Sequence, residues 1–225
     1  MNSSENARLA GASSDSGTRR AIDREKAWGE DETYRQSMMD ALGIWLSSVQ
    51  IGRSLGPWSG KAIADLGCGH HATFSRKLLE QVASATLVDL SLSASLKAHP
   101  RVKALEGALP DVLTGVPSAS IDRVICNNVL EHLWEPLVML EHVRRMLKPG
   151  GKCFINVPSW RGKRVLETAA FQLEFTSKAE IDDHKAYYDR RELWSLLVKS
   201  GFKPSQITCR SHKLGLNTYA VCTKD

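Results

Sequence analysis

"IADLGCGHHATFSRKLL" spans Ile63 to Leu79. An apolar run leads to Asp65, the chain turns through Gly67 and Gly69, and an amphipathic stretch follows. A strand that ends in a glycine turn and restarts as a helix places backbone amides where a ligand can lie against them. Gly67-Cys68-Gly69-His70-His71-Ala72 fits G-x-G-x-x-G/A, and Asp89 ends the next apolar run twenty residues after Gly69. A carboxylate there accepts hydrogen bonds from both hydroxyls of a ribose. The same pattern suits a dinucleotide, and Asp65 separates the two cases. A pyrophosphate at the turn would sit near that carboxylate, and two anions in a partly dry cleft repel by several kcal/mol. A ligand with an ammonium group and a sulfonium but no phosphate suits the acid, and S-adenosylmethionine is such a ligand. The opposing reading is a buried strand-end acid that caps the following helix.

Outward from this turn, short apolar runs alternate with helical stretches. Candidate strands are Ala62–Asp65, Ala85–Asp89, Val102–Leu105, Arg123–Cys126, Cys153–Val157, Ile207–Arg210 and Asn217–Cys222. A helix after Pro136 carries Leu137, Leu140, Val143 and Leu147 on one face and ends at "KPGG". A later helix starts at Asp189 with Glu192 three residues on, a capping-box pattern, and stops at Gly201. The alternation predicts an α/β fold, a doubly wound and mostly parallel sheet with helices on both faces. The last two strands are joined only by a turn around "HKLG", too short for a parallel crossover, so they form a C-terminal antiparallel hairpin. The expected organisation is a disordered tail over 1–20, a helical arm over 21–60 and one domain over 61–225. An insert of about thirty residues, near 159–189, exceeds what the strand–helix rhythm needs. Ligands of such sheets bind beyond the carboxyl ends of the strands, so the insert is the natural place for substrate contacts. Within the arm, Glu32 to Gln50 has helical spacing and is read mostly as core packing, before "GRSLGPWSG" breaks the pattern.

Composition narrows the function classes. The 225 residues suit one domain with an arm, and no stretch reaches the length of a membrane span. The polar start "MNSSENARLAGASSDSGTRR" lacks an apolar signal core, so a cytoplasmic location is expected. Five dispersed cysteines, none in a C-x-x-C pair, read as free thiols in a reducing compartment. The net charge of +5 lies mostly beyond Arg161, where twelve Lys and Arg face eight Asp and Glu. That is no concentrated basic stripe, and no stable nucleic-acid partner is expected.

The sequence resembles the class I S-adenosylmethionine-dependent methyltransferases, specifically the small bacterial methyltransferase-domain group, from about Lys61 to Thr223. "DLGCG", Asp65 to Gly69, looks like the first motif of that family, and "LVDLS" resembles the ribose-binding second motif. "LEGALPDV" resembles the third, "IDRVICNNVLEHLWEP" the fourth-strand motif and "MLKPGGKCFINVPS" the exit into strand five. The resemblance implies a Rossmann-like seven-stranded sheet with S-adenosylmethionine as cofactor. It places Asp65, Gly67, Gly69, Asp89, Leu90, Gly107, Ala108 and Asn127 around that cofactor. Two departures stand out. Glu106 precedes Gly107 and Ala108 follows it, where an acid usually follows the glycine. Asn128 stands where the quinone O-methyltransferases carry an acid that helps hold a divalent ion with the following Glu-His, so no metal is expected.

Methyl transfer is an in-line displacement that needs alignment and, for a hydroxyl acceptor, removal of its proton. His132, just past the fourth strand, is the first candidate base, and Glu131 is placed to orient it or to cap a helix. His184, at the end of the insert, is the second. Tyr187, Tyr188 and Arg161 are candidate acceptor contacts, with Arg161 inside the basic cluster "WRGKR". Each also has a plain structural reading as a packed or solvated side chain. No Pro-Cys dipeptide follows strand four, which disfavours cytosine C5 chemistry, and the Asn/Asp-Pro-Pro-aromatic signature of base amino methylation is missing there. The expected activity is methylation of a small-molecule hydroxyl. Resemblance to enzymes of surface-polysaccharide pathways points to a sugar, phosphorylated or lipid-linked, with the protein a monomer or homodimer. A protein or RNA methyltransferase, a non-catalytic cofactor-binding subunit and, more distantly, a dehydrogenase are the alternatives.

Overall fold

The first described element is a helix, and its burial is concentrated at one end. The structure is a computed structural model that describes residues 38–164 and 184–225. The expected tail, the start of the arm and most of the insert lie outside those residues. Helix α1 covers Met38–Leu55. Its last turns press Ile51 and Leu55 against Ile125, Phe154 and Tyr219. The helix therefore runs past Gln50 and through Gly52: burying two aliphatic side chains, about 1.5–3 kcal/mol each, outweighs a glycine cost of about 1 kcal/mol. Trp45 and Leu42 are exposed instead of packed, which corrects the expectation that this stretch is mostly core.

Seven strands follow: β1 Ala62–Leu66, β2 Ser84–Asp89, β3 Val102–Glu106, β4 Ile121–Asn127, β5 Leu147–Pro158, β6 Ile207–His212 and β7 Asn217–Thr223. They form one sheet in the order β3-β2-β1-β4-β5-β7-β6. β1 to β5 are parallel, and β7 runs antiparallel to both β5 and β6. The doubly wound, mostly parallel sheet with an antiparallel end is as the sequence predicts. β5 is longer than expected because Leu147 already pairs with Ile121 across an irregularity in β4, so "KPGG" lies within the strand.

Residues of β1 alternate between two cores. Ala64 and Leu66 join Met139, Leu140 and Val143 of α3 (Pro136–Met146) and Leu193 and Leu197 of α4 (Arg190–Lys199). Ile63 joins Leu78, Leu79 and Val82, with Leu96 from the short α2 (Ala94–Lys97). The capping box at Asp189 and Glu192 is formed as the sequence indicates.

The amphipathic stretch after the glycine turn does not become an α-helix. Ala72 takes a left-handed φ of 44°, and only Ser75–Leu78 forms a 3₁₀ turn. Leu78 and Leu79 still reach the core, so the apolar pattern is satisfied by turns. All five cysteines are free, three of them buried.

Candidate functional site

The strand order reverses between β1 and β4, and the crevice beyond their carboxyl ends is where ligands of such sheets bind. Gly67 and Gly69 leave β1 with φ of 70° and 76°, values that favour glycine. The amides of Gly67 and Cys68 both donate to the Val88 carbonyl, at 2.8 and 3.1 Å, which pins the turn to β2. A Cβ on Gly67 would stand 2.4 Å from a methyl of Val129, so the turn is closed on that side by the chain leaving β4. A Cβ on Gly69 would meet nothing within 4 Å, so that side of the turn is open.

Asp89 ends β2 beside it. One carboxylate oxygen accepts the Gly69 amide at 2.7 Å and the other the Leu90 amide at 2.8 Å. Each oxygen keeps a second lone pair for a hydroxyl. The Gly107 amide donates to the Asp89 carbonyl at 3.0 Å, which brings Gly107 and Ala108 alongside Leu90. Glu106 is occupied elsewhere: it accepts the Leu92 amide at 2.7 Å and Lys97 Nζ at 3.1 Å. It therefore anchors α2 and does not stand in for the missing acid after Gly107.

Asp65 is nearly removed from solvent, and its Oδ2 accepts the Ser75 hydroxyl at 2.6 Å. Burial pushes its carboxyl up to about 6; the Ser75 bond opposes this, and the charge of Asp89 adds to it. Two mutually repelling carboxylates thus flank the open glycine turn. A cationic ligand relieves that repulsion and a pyrophosphate worsens it, so the residues present fit S-adenosylmethionine. Asn127, at the end of β4, accepts at its Oδ1 from Asn156.

The other half of the site is built by Leu130–His132, a 3₁₀ turn, and by residues 184–188. The Glu131 carbonyl accepts the amides of Lys185 and Ala186 at 2.7 and 3.3 Å, and the Tyr188 amide donates to the Pro158 carbonyl at 3.1 Å. This strap brings His184 to His132, with ring centroids 4.8 Å apart. His184 Nδ1 lies 3.0 Å from the Tyr187 hydroxyl, and burial holds the ring's pKa below its ordinary value. At neutral pH His184 is an uncharged imidazole able to accept a proton.

Glu131 is almost wholly buried, and burial lifts its carboxyl to about 8. Its Oε2 has no hydrogen-bond partner. Glu131, His132 and His184 offer ligand atoms within 4.8 Å of one another, a set able to hold a divalent ion. The expectation of no metal rested on Asn128; the tertiary structure supplies a third donor, His184, from a different element.

Tyr187 packs its ring against Trp160, centroids 5.5 Å apart, and faces His184. Tyr188, as buried as Tyr187, packs into the main core, where burial pushes its hydroxyl up to about 12. Trp160, Arg161, Lys163 and Arg164 line a cavity of about 710 Å³ next to Tyr187, with Lys163 Nζ 5.6 Å from the centre of its ring. Sequence reasoning did not single out Ser75, Asn156 or Trp160. Ser75 carries no spacing signal, Asn156 sits in an apolar strand, and Trp160 was legible only as part of "WRGKR".

The methyltransferase-domain family profile matches residues 54–207. Curated relatives include the ubiquinone biosynthesis O-methyltransferase of Idiomarina loihiensis, 36% identical over 114 residues (45% of this chain, 46% of that protein). The protein of that name from Paracidovorax citrulli is 31% identical over 121 residues, half of each chain. The chain thus spans about half the length of the curated relatives it matches. Those relatives are named for O-methylation in ubiquinone biosynthesis, not for methylation of a sugar. Among solved structures, Burkholderia thailandensis 1,6-didemethyltoxoflavin-N1-methyltransferase, with its substrate and S-adenosylhomocysteine bound, is 16% identical with a TM-score of 0.60. The match covers 93% of this chain and 89% of that one. A SAM-dependent methyltransferase from Archaeoglobus fulgidus is 14% identical with a TM-score of 0.58, over 80% of this chain and 94% of that one. Both share the fold.

Proposed function

The chain belongs to the methyltransferase-domain family, and from that premise we propose that it transfers the methyl group of S-adenosylmethionine to a hydroxyl of a small-molecule acceptor. The observation that carries this reading is the meeting of His132 and His184, from separate elements, beyond the same strand ends that form the open, doubly acidic glycine turn.

When bound, S-adenosylmethionine supplies a methyl group already activated by its sulfonium. Asp89 holds the ribose hydroxyls, and Asp65 and Asp89 together favour the ligand's positive charge. The Gly69 side of the turn accommodates its amino-acid end. Gly107, Ala108, Leu90 and Asn127 border the adenine and the inner wall. On the acceptor side, Trp160 and Tyr187 offer ring faces, and Arg161 meets an anionic group. The acceptor O–H proton passes to an imidazole of the His132–His184 pair as the O–CH₃ bond forms and the S–CH₃ bond breaks. The products are a methyl ether, S-adenosylhomocysteine and an imidazolium that then loses its proton to water. Were a divalent ion held by Glu131, His132 and His184, it would lower the pKa of a coordinated hydroxyl.

An aromatic hydroxyl is favoured over a sugar, because the relatives are named for O-methylation in ubiquinone biosynthesis and because Trp160 in the cavity wall, with Tyr187 beside it, offers ring faces. Two experiments test this. Calorimetry should give heat with S-adenosylhomocysteine and none with a nicotinamide dinucleotide; the reverse result returns the dehydrogenase. Labelled methyl groups should then pass to catechol-type acceptors in preference to nucleotide sugars. Label in RNA or protein fractions instead would establish the macromolecular alternative, and cofactor binding without turnover on any fraction the regulatory one. His132→Ala should keep cofactor affinity and lose about 10²–10⁴-fold in kcat, the usual range for a general base.

A further inference from the structure

We infer that Asn156 is a positioning residue: its buried amide holds the turn out of β4 in the one shape that serves cofactor and acceptor halves together. The inference rests on the reading that the histidine side receives the methyl group.

Asn156 lies inside β5, opposite Asn127 of β4 on one side and Tyr219 of β7 on the other. It is wholly buried, between strand neighbours Ile155 and Val157 that are equally buried. Its amide nitrogen donates to Asn127 Oδ1 at 3.0 Å and to Asn128 Oδ1 at 2.9 Å. Its backbone carbonyl accepts the Asn128 amide at 2.8 Å. Asn217 Nδ2 adds a longer bond to Asn128 Oδ1, at 3.4 Å. Asn156 Oδ1 has no partner. A buried oxygen left without a partner is destabilising, so stability alone would favour an aliphatic residue in this strand.

The amide maintains a bend. Asn128 sits at φ 56°, a left-handed conformation that asparagine tolerates best when its side chain is hydrogen-bonded. Directly after the bend, Val129 seats its methyl groups against Gly67 of the cofactor turn. Leu130–His132 follow, and the Glu131 carbonyl there carries the strap that brings in His184. One side chain therefore sets the relation between the sulfonium end of the crevice and the imidazole pair. Loosening the bend misaligns the in-line attack while leaving Asp89 and Gly69 in place.

The test uses the full chain with Asn156→Leu, which removes both donors, and the near-isosteric Asn156→Asp, which turns the donor pair into acceptors. Amide hydrogen exchange at Lys185 and Ala186, whose protons go to the Glu131 carbonyl, and calorimetry with S-adenosylhomocysteine are read in each. The expected result is faster exchange at those two amides in both variants with cofactor affinity within about threefold of wild type. With an acceptor in hand, kcat should fall about 10²-fold at unchanged KM for S-adenosylmethionine, the scale expected for a displacement of about 1 Å. Unchanged exchange at Lys185 and Ala186 in a folded variant overturns the inference, as does loss of cofactor binding in step with kcat. Failure of the wild-type chain to bind S-adenosylhomocysteine would overturn the methyltransferase reading instead, and the amide exchange would still report on Asn156.

Discussion

Asp65 shows how one residue trades stability against binding. Its folded pKa of about 6 lies above the ordinary 3.8, so the folded chain holds this proton more tightly than the unfolded one. The contribution is fully present below the unfolded value and is lost as pH rises through about 6. Asp65→Asn should therefore raise the melting temperature at pH 8, by an amount worth about 2–3 kcal/mol, and change it little at pH 4. The same substitution should weaken S-adenosylmethionine binding; a variant with wild-type melting at pH 8 would show that burial does not strain this carboxyl. The two glycines should separate in the same way. Gly67→Ala forces a Cβ to 2.4 Å from Val129 and should destabilise the protein outright. Gly69→Ala meets no protein atom, so it should cost only about 1–2 kcal/mol of backbone strain yet weaken S-adenosylhomocysteine binding tenfold or more. Equal affinity in folded Gly69→Ala would mean that the ligand lies elsewhere.

At the scale of elements, the acceptor half depends on how the 184–188 strap enters α4. Asp189 caps the helix and Glu192 closes the box, its Oε2 accepting the Asp189 amide at 2.7 Å. Glu192 also accepts from Trp160 Nε1 at 3.1 Å, so the cap is tied to the cavity wall. Asp189→Ala should cost about 1 kcal/mol in urea unfolding, as for other lost N-caps. Faster amide exchange at Lys185 and Ala186, whose protons go to Glu131, is expected with it. A change in global stability with no change at those two amides would separate the cap from the strap. Strands, the capping box and the closing hairpin were legible because alternating apolar runs and turn residues encode them locally. The helix expected after the glycine turn does not form, because the apolar spacing of Leu78 and Leu79 is satisfied equally by turns and nothing in the sequence marks the left-handed φ of Ala72.

For the whole molecule, ligand binding should appear as stability. S-adenosylhomocysteine at one hundred times its Kd should add about 2.7 kcal/mol, a rise of about 5–10 °C in melting temperature for a chain of this size. Asp89→Ala should abolish the rise while leaving the unliganded melt within a few degrees; a retained rise would remove Asp89 from the cofactor site. The sheet was legible in the chain alone, and so was the geometry of the turn on which the proposed cofactor half rests, because β1, the glycine turn and Asp89 lie within about thirty residues and each demand is local: positive φ, a strand end, a carboxylate. Only the tertiary structure decided the acceptor half. His184 lies about fifty residues beyond the adjacent Glu131 and His132, and nothing in that spacing encodes the strap that joins them. It also gave the adjacent, equally buried tyrosines different neighbours, His184 and Trp160 for Tyr187 and the main core for Tyr188, because contacts are a property of the packed chain and not of the residue.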